Sequence, residues 1–236
     1  MTTSLLNSLL RALLRWGAAL VFCLPLRHRS HFWARACGML FPLLLLAQLL
    51  DPLAQSTTLW QQQLLLLVLY ISFFALLGGM IYLCTDINKK GALYCAVWSL
   101  LIAQCAYESW CFLELQFTRY GHPLNMASPW AVLVQLLSGA VFFAAVYILL
   151  ARQLPYKGEY NIGPRQLFSA FFIGILFMVQ AAVLDNARAE HTPLSLTVTI
   201  LIGQFYFITL LYFQSELFKN CLLYTSPSPR DRQKSR

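Results

Sequence analysis

The chain has 236 residues, of which 59% are hydrophobic and 11% are charged, and its formal net charge is +8. Soluble domains average about 45–50% apolar and about 25% charged residues, so this composition excludes an ordinary soluble globule and indicates a membrane protein. The basic residues lie in short loops between apolar runs instead of on one helix face, which argues against nucleic-acid binding.

Seven apolar segments follow one another along the chain. A helix needs about 20 mainly apolar residues to cross a hydrocarbon core of about 30 Å, and the second segment reaches that length when it is extended back to Phe32. The sequence therefore predicts an all-α fold, a polytopic membrane bundle of seven transmembrane helices. The segments are Leu5 to Leu26, Ala36 to Leu50, Leu64 to Cys84, Ala92 to Leu113, Trp130 to Ala151, Leu167 to Leu184 and Leu194 to Phe213.

The first segment is ambiguous because Arg11 and Arg15 lie within its apolar run. No small-residue cleavage site follows it, which argues against a removable signal peptide. The segment either spans the membrane or lies flat on the inner surface, and in the second case six helices span the membrane. In both cases, each later loop lies on the same side of the membrane.

The charges of the loops predict the orientation of the chain. With a cytoplasmic C-terminus, the outer loops contain only two basic residues, Arg119 and Arg188. The inner loops then contain eight basic residues, namely Arg27, Arg29, Arg35, Lys89, Lys90, Arg152, Lys157 and Arg165. This excess is what the positive-inside rule requires, so we expect the C-terminus in the cytoplasm.

Polar side chains inside the spans are the candidates for a ligand-binding site. An ionisable group at mid-membrane costs at least about 2.5–3.5 kcal/mol, so Glu108 needs a partner, a cavity or a position near the surface. Gln104 lies one helical turn before Glu108 on the same face. Gln135, Gln180 and Asp185 fall at a comparable depth, and these five residues predict a polar pocket that opens outward. In the alternative, the amides bond neighbouring helices and Glu108 reaches the outer surface.

The sequence contains no pattern typical of a metal or catalytic site. Six of the seven cysteines lie in or beside predicted spans, and the four histidines lie in loops on both sides of the membrane. There is no phosphate-binding loop, dinucleotide fingerprint, zinc-protease motif or nucleophile elbow. We therefore expect no catalytic residue, no metal site and no cofactor in this chain.

A family resemblance is carried by LPLRHRSHFWARA (Leu24 to Ala36), CTDINKKGALYCAV (Cys84 to Val97) and LLYFQSELFKN (Leu210 to Asn220). These stretches resemble the membrane sensor region of bacterial sensor histidine kinases with a GHKL ATPase domain, which are relatives of the peptide-pheromone receptor kinases. Many such proteins carry a Gln-His pair on the fourth helix. Here the match is IAQCA, in which Gln104 is kept and Cys105 replaces the histidine.

The resemblance implies a ligand-sensing input domain of a two-component system in the bacterial cytoplasmic membrane. It implies an extracellular ligand such as a peptide, a homodimer in the full-length protein and a response regulator downstream. The signal would leave through the last helix at Phe213, Glu216, Leu217 and Lys219. The phosphoacceptor histidine and the ATPase domain, which would bind ATP and Mg, are not among these residues, so we expect no self-phosphorylation.

The last residues differ in character from the rest of the chain. CLLYTSPSPRD, Cys221 to Asp231, resembles a translated sequencing adapter. We therefore expect residues 1–219 to be a transmembrane sensor domain and residues 220–236 to be a non-native or disordered basic tail, with the natural chain continuing after Asn220. The alternative is a natural basic tail that is attracted to anionic lipid.

A second class of function stays open, namely a self-contained small membrane transporter or an accessory scaffold protein. Transporters often contain broken helices and internal repeats. The sequence has no convincing internal repeat, and Pro42 is the only proline well inside a predicted span.

Overall fold

The computed structural model describes residues 2–54, 59–119, 129–149, 151–153, 163–187 and 203. Over these ranges the chain forms six α-helices and one 3₁₀ helix, Ala151–Gln153, and no residue belongs to a β-strand. The predicted all-α fold is therefore confirmed for this part of the chain. The α-helices are α1 (Thr2–Cys23), α2 (Phe32–Ala54), α3 (Leu59–Cys84), α4 (Lys89–Arg119), α5 (Pro129–Leu149) and α6 (Pro164–Ala187).

Four of these helices are long and apolar enough to cross a membrane, as expected for a membrane protein. In the part of α6 whose side chains are described, the apolar stretch is Gln166–Leu176. Each of the first six predicted segments overlaps one helix, whereas the seventh, Leu194 to Phe213, lies outside the described residues except for Gly203. The four candidate spans are Phe32–Leu49, Leu67–Cys84, Lys89–Thr118 and Trp130–Leu149.

Capping residues in the loops explain where α4 and α6 begin. Asn88 precedes α4, and its Oδ1 accepts a hydrogen bond from the Gly91 N–H at 2.7 Å, as an N-cap residue does. Helix α6 starts with Pro164, whose missing N–H is not needed in the first turn. The Gly163 N–H donates to Gln166 Oε1 at 3.1 Å, as in a capping box.

The loop between α1 and α2 meets the loop between α3 and α4 at one end of the bundle. The Arg29 N–H donates to the Cys84 carbonyl at 3.0 Å, and the Asp86 N–H donates to the Arg27 carbonyl at 2.9 Å. We call this the basic end. Its basic residues are Arg27, Arg29, Arg35, Lys89 and Lys90.

Helix α1 lies inside the bundle, where it packs against α2, α3, α4 and α5. Its buried faces are rich in small residues, which let neighbouring helices approach closely. Ala12, Ala18 and Ala19 have no exposed surface. Helix α1 is therefore an interior helix of the described bundle.

Two glycines mark the contact between α1 and α5. A Cβ atom on Gly17 would lie 2.9 Å from Phe143 Cε2, and one on Gly139 would lie 3.0 Å from Leu14 Cδ2. The residue numbers rise together along both helices, so α1 and α5 run parallel. The two helices are therefore fixed in register by contacts that leave no room for a larger residue.

We predict that Gly17→Leu destabilises the bundle by about 1–3 kcal/mol because the added side chain must displace the Phe143 ring. The matched control is Gly38→Leu on α2, where no atom lies within 4 Å of the added Cβ. That change is expected to be neutral or slightly stabilising because Gly is a poor helix former. Thermal unfolding in detergent measures both variants, and equal melting temperatures would contradict the α1 to α5 contact.

Candidate functional site

The predicted pair of Gln104 and Glu108 lies together on α4 and is buried, with 7% and 4% of the two residues exposed. Gln104 Nε2 donates a hydrogen bond to Glu108 Oε1 at 3.0 Å. Their spacing of one turn places both side chains on the same helix face. The amide thus supplies part of the hydrogen bonding that a buried carboxylate requires.

Gln135 on α5 is 1% exposed, and neither Nε2 nor Oε1 has a hydrogen-bond partner among the described residues. Because Gly139 lies against Leu14 and the two helices are parallel, Gln135 lies one turn closer to the start of both helices. This register puts it level with Leu10 and Arg11. Gln135 is therefore at the same depth as Arg11 of α1.

The remaining predicted site residues cannot be placed as fully. Gln180 and Asp185 lie on α6, where the backbone is described and the side chains are not. The predicted signal-transmitting residues lie outside the described part of the chain, namely Phe213, Glu216, Leu217 and Lys219. The structure thus joins Gln104 to Glu108 and brings Gln135 to the depth of Arg11 on α1.

Arg11 and Arg15 of α1 belong to the same interior region, which the sequence did not reveal. Arg15 is 8% exposed, and its Cζ lies 3.9 Å from the ring centroid of Phe73 on α3. Arg11 Nη2 donates to the Tyr107 hydroxyl at 3.0 Å, and Arg11 Cζ lies 4.9 Å from the centroid of that ring. The spacing of four residues was the available signal, since it places both guanidinium groups on one helix face.

We call the buried and half-buried polar side chains that α1, α3 and α4 contribute to this region the polar layer, and it lies well away from the basic end. At about 1.5 Å per residue, Arg15 lies roughly 12 Å along α1 from Cys23, and Glu108 lies roughly 28 Å along α4 from Lys89. The polar layer therefore occupies the middle of the bundle and part of its far half. Its members are Arg11, Arg15, Tyr70, Gln104, Tyr107 and Glu108.

A cavity of about 250 Å³ lies between α1, α3 and α4 within the polar layer. Its lining carries two guanidinium groups, two phenol hydroxyls and one amide, all of which can donate hydrogen bonds. Such a cavity can hold a polar ligand inside an apolar bundle. The lining residues are Arg11, Leu14, Arg15, Tyr70, Ala103, Gln104 and Tyr107.

The described residues do not bring together a metal site, because no group of three or more His, Cys, Asp or Glu side chains among them has suitable geometry. The chemistry that the polar layer offers is therefore hydrogen bonding and charge. No family model, no curated protein and no solved structure matches the chain.

We predict that Gln104→Leu destabilises the bundle by about 1–3 kcal/mol because Glu108 loses a hydrogen-bond donor while it stays buried. The matched control is Gln48→Leu on α2, where the glutamine is exposed. A surface change of this kind is expected to stay within about 0.5 kcal/mol. Thermal unfolding in detergent compares the two, and an unchanged melting temperature for Gln104→Leu would contradict the role of the hydrogen bond.

Proposed function

We propose that this chain is a multi-pass protein of the bacterial cytoplasmic membrane, in which the helical bundle is the ligand-sensing input domain of a sensor histidine kinase. The observation that carries the proposal is the cavity inside the polar layer. An apolar bundle gains no stability from such a cavity, since empty space forfeits the packing contacts that stabilise a core. A binding function explains why the cost is tolerated.

The proposed orientation has seven transmembrane helices with the basic end and the C-terminus in the cytoplasm. Its support is the position of the charges, because the loops that pair at the basic end carry Arg27, Arg29, Lys89 and Lys90. Basic loops are retained on the cytoplasmic side. The polar layer then lies in the middle and outer part of the membrane, where a ligand from outside can reach it.

Signal transfer in this proposal begins at α4, since that helix carries Gln104, Tyr107 and Glu108 and also packs against α6. A ligand shifts the equilibrium between two arrangements of the helices only if it binds one arrangement more tightly than the other. The shift would continue into the last helix at Phe213, Glu216, Leu217 and Lys219, as the family resemblance implies.

The partners follow from the same resemblance. They are an extracellular ligand, of which a peptide is one candidate, a second copy of the receptor, and a response regulator that receives the phosphoryl group. ATP and Mg would be bound by the kinase domain and not by the bundle. The bundle itself supplies binding and positioning only.

A transporter is the competing proposal, and the course of the described helices favours the receptor. Transporter sites are commonly built from discontinuous helices at mid-membrane. Around this cavity, α1, α3 and α4 are each described as one continuous helix. The cavity is thus built from unbroken helices.

Cysteine labelling tests the orientation. In a chain without its native cysteines, Lys89→Cys and Thr118→Cys place exposed thiols near the two ends of α4. We expect an impermeant maleimide to label Thr118→Cys in intact cells and Lys89→Cys only after permeabilisation. The opposite pattern would remove the proposed topology.

Autophosphorylation tests the receptor function. Residues 1–219, fused to a GHKL kinase domain in vesicles, are expected to respond to a member of a panel of peptides and small acids added outside. Gln104→Ala and Tyr107→Phe each change a residue that lines the cavity, and each should raise the half-maximal concentration by about tenfold or more, which corresponds to about 1.4 kcal/mol of binding.

The control for that assay is Gln48→Ala, which should leave the response unchanged because Gln48 is exposed on α2. Uptake of a panel compound by residues 1–219 alone, without any change in phosphorylation, would support the transporter. An unchanged response in both polar-layer variants would remove the cavity from the receptor mechanism.

A further inference from the structure

We infer that the cavity of the polar layer binds a small oxyanion, of the carboxylate or phosphate class, through the guanidinium groups of Arg11 and Arg15. The inference rests on the cavity being the ligand site of the proposed receptor, and it names the chemical class of that ligand. It is carried by the charge, the donors and the size of the cavity together.

The charge of the lining is the first argument. The described residues that line the cavity include two cations, Arg11 and Arg15, and no carboxylate. Glu108 is not one of the lining residues, and it accepts a hydrogen bond from Gln104. Even when Glu108 is counted, the charged side chains of the polar layer sum to one positive charge. A bound anion would neutralise that charge within the polar layer.

The surroundings of the layer do not change this count among the described side chains. Between the ends of the helices, α3 and α5 contribute no Asp, Glu, Lys or Arg. Glu114 lies six residues beyond Glu108 on α4, which is roughly 9 Å further from the basic end. Among the described side chains of α1, α3, α4 and α5, the cavity therefore lies beside more cations than anions, and this count does not include Asp185 of α6, whose side chain is not described.

The donors are held in place before any ligand binds. The Arg15 guanidinium lies over Phe73, and Arg11 is held by both the ring and the hydroxyl of Tyr107. A guanidinium has five N–H donors, so it can keep a protein contact and bind an anion at the same time. Arg recognises carboxylate and phosphate through paired hydrogen bonds, and fixed side chains lose little entropy on binding.

The size of the cavity limits the ligand. Its volume of about 250 Å³ equals roughly eight water molecules at about 30 Å³ each. A small organic acid, inorganic phosphate or the terminal carboxylate of a peptide fits this space. A whole peptide does not, so a peptide ligand would insert only its terminus.

Thermal unfolding of the purified full chain in detergent tests the inference with acetate and acetamide, which have similar shape and differ in charge. Acetate, exchanged for chloride at constant ionic strength, is expected to raise the melting temperature saturably. At ten times the dissociation constant the shift should be about 3–6 °C. Equal effects of acetate and acetamide, or no saturable shift at high millimolar acetate, would overturn anion binding by the cavity.

Substitutions test whether acetate raises the melting temperature by binding in the cavity. Arg11→Gln and Arg15→Gln should lose the acetate shift, whereas Arg29→Gln at the basic end should keep it. Tyr107→Phe retains both charges and removes the hydroxyl that accepts from Arg11, so it should weaken the shift if an arginine variant fails to fold. An undiminished shift in all variants of the polar layer would place the anion elsewhere and overturn the inference.

A second pair of probes distinguishes a peptide terminus from a free small anion as the source of the oxyanion. N-acetylglycine and its amide differ only in the charged terminus. A peptide terminus is indicated if only the acid raises the melting temperature and if it does so more than acetate. Acetate or inorganic phosphate as the stronger probe indicates a free small anion. These measurements need no kinase domain. Anion binding without an effect on phosphorylation would contradict only the receptor proposal. A phosphorylation response without anion binding would contradict only the inference that the ligand is an oxyanion.

Discussion

The cost of holding charge inside an apolar bundle is the constraint on which the arrangement of the helices depends. An ionisable side chain at mid-membrane costs at least about 2.5–3.5 kcal/mol, and the polar layer contains three of them. Arg15 is compensated by the ring of Phe73, Arg11 by Tyr107, and Glu108 by Gln104. These partners lie on α3 and α4, so α1 can be buried only where both of those helices reach it. The central position of α1 follows from this requirement.

Small residues on α1 make that central position possible. Ala12, Ala18 and Ala19 are fully buried, and Gly17 lies against the Phe143 ring. Close approach of neighbouring helices brings the rings and hydroxyls within reach of the guanidinium groups. Packing and charge compensation are thus two results of the same sequence pattern, because the small residues alternate with the arginines along one helix.

Local sequence signals were sufficient to predict the helices but not to predict which residues come together at the candidate site. Apolar length predicted six helices that the structure describes, and the spacing of Gln104 and Glu108 predicted their contact. The two arginines of α1 left a helix at the membrane surface open as an alternative to a spanning helix, because a hydropathy scale penalises a charged residue whether or not it has a partner. Their burial depends on residues of α3 and α4 far along the chain, which no local window contains. The seventh helix and the orientation stay predictions.

The contact between Arg11 and Tyr107 joins residues that are 96 positions apart, and this separation affects how the chain is made. At about 5–20 residues per second, a ribosome needs roughly 5–20 s to synthesise the intervening segment. During that interval the first helix has left the ribosome and its cations have no aromatic partners from α4. Until the fourth helix is made, other partners such as water or lipid phosphates have to solvate these cations. The first helix therefore reaches its final contacts in the bundle only after the fourth helix has been synthesised.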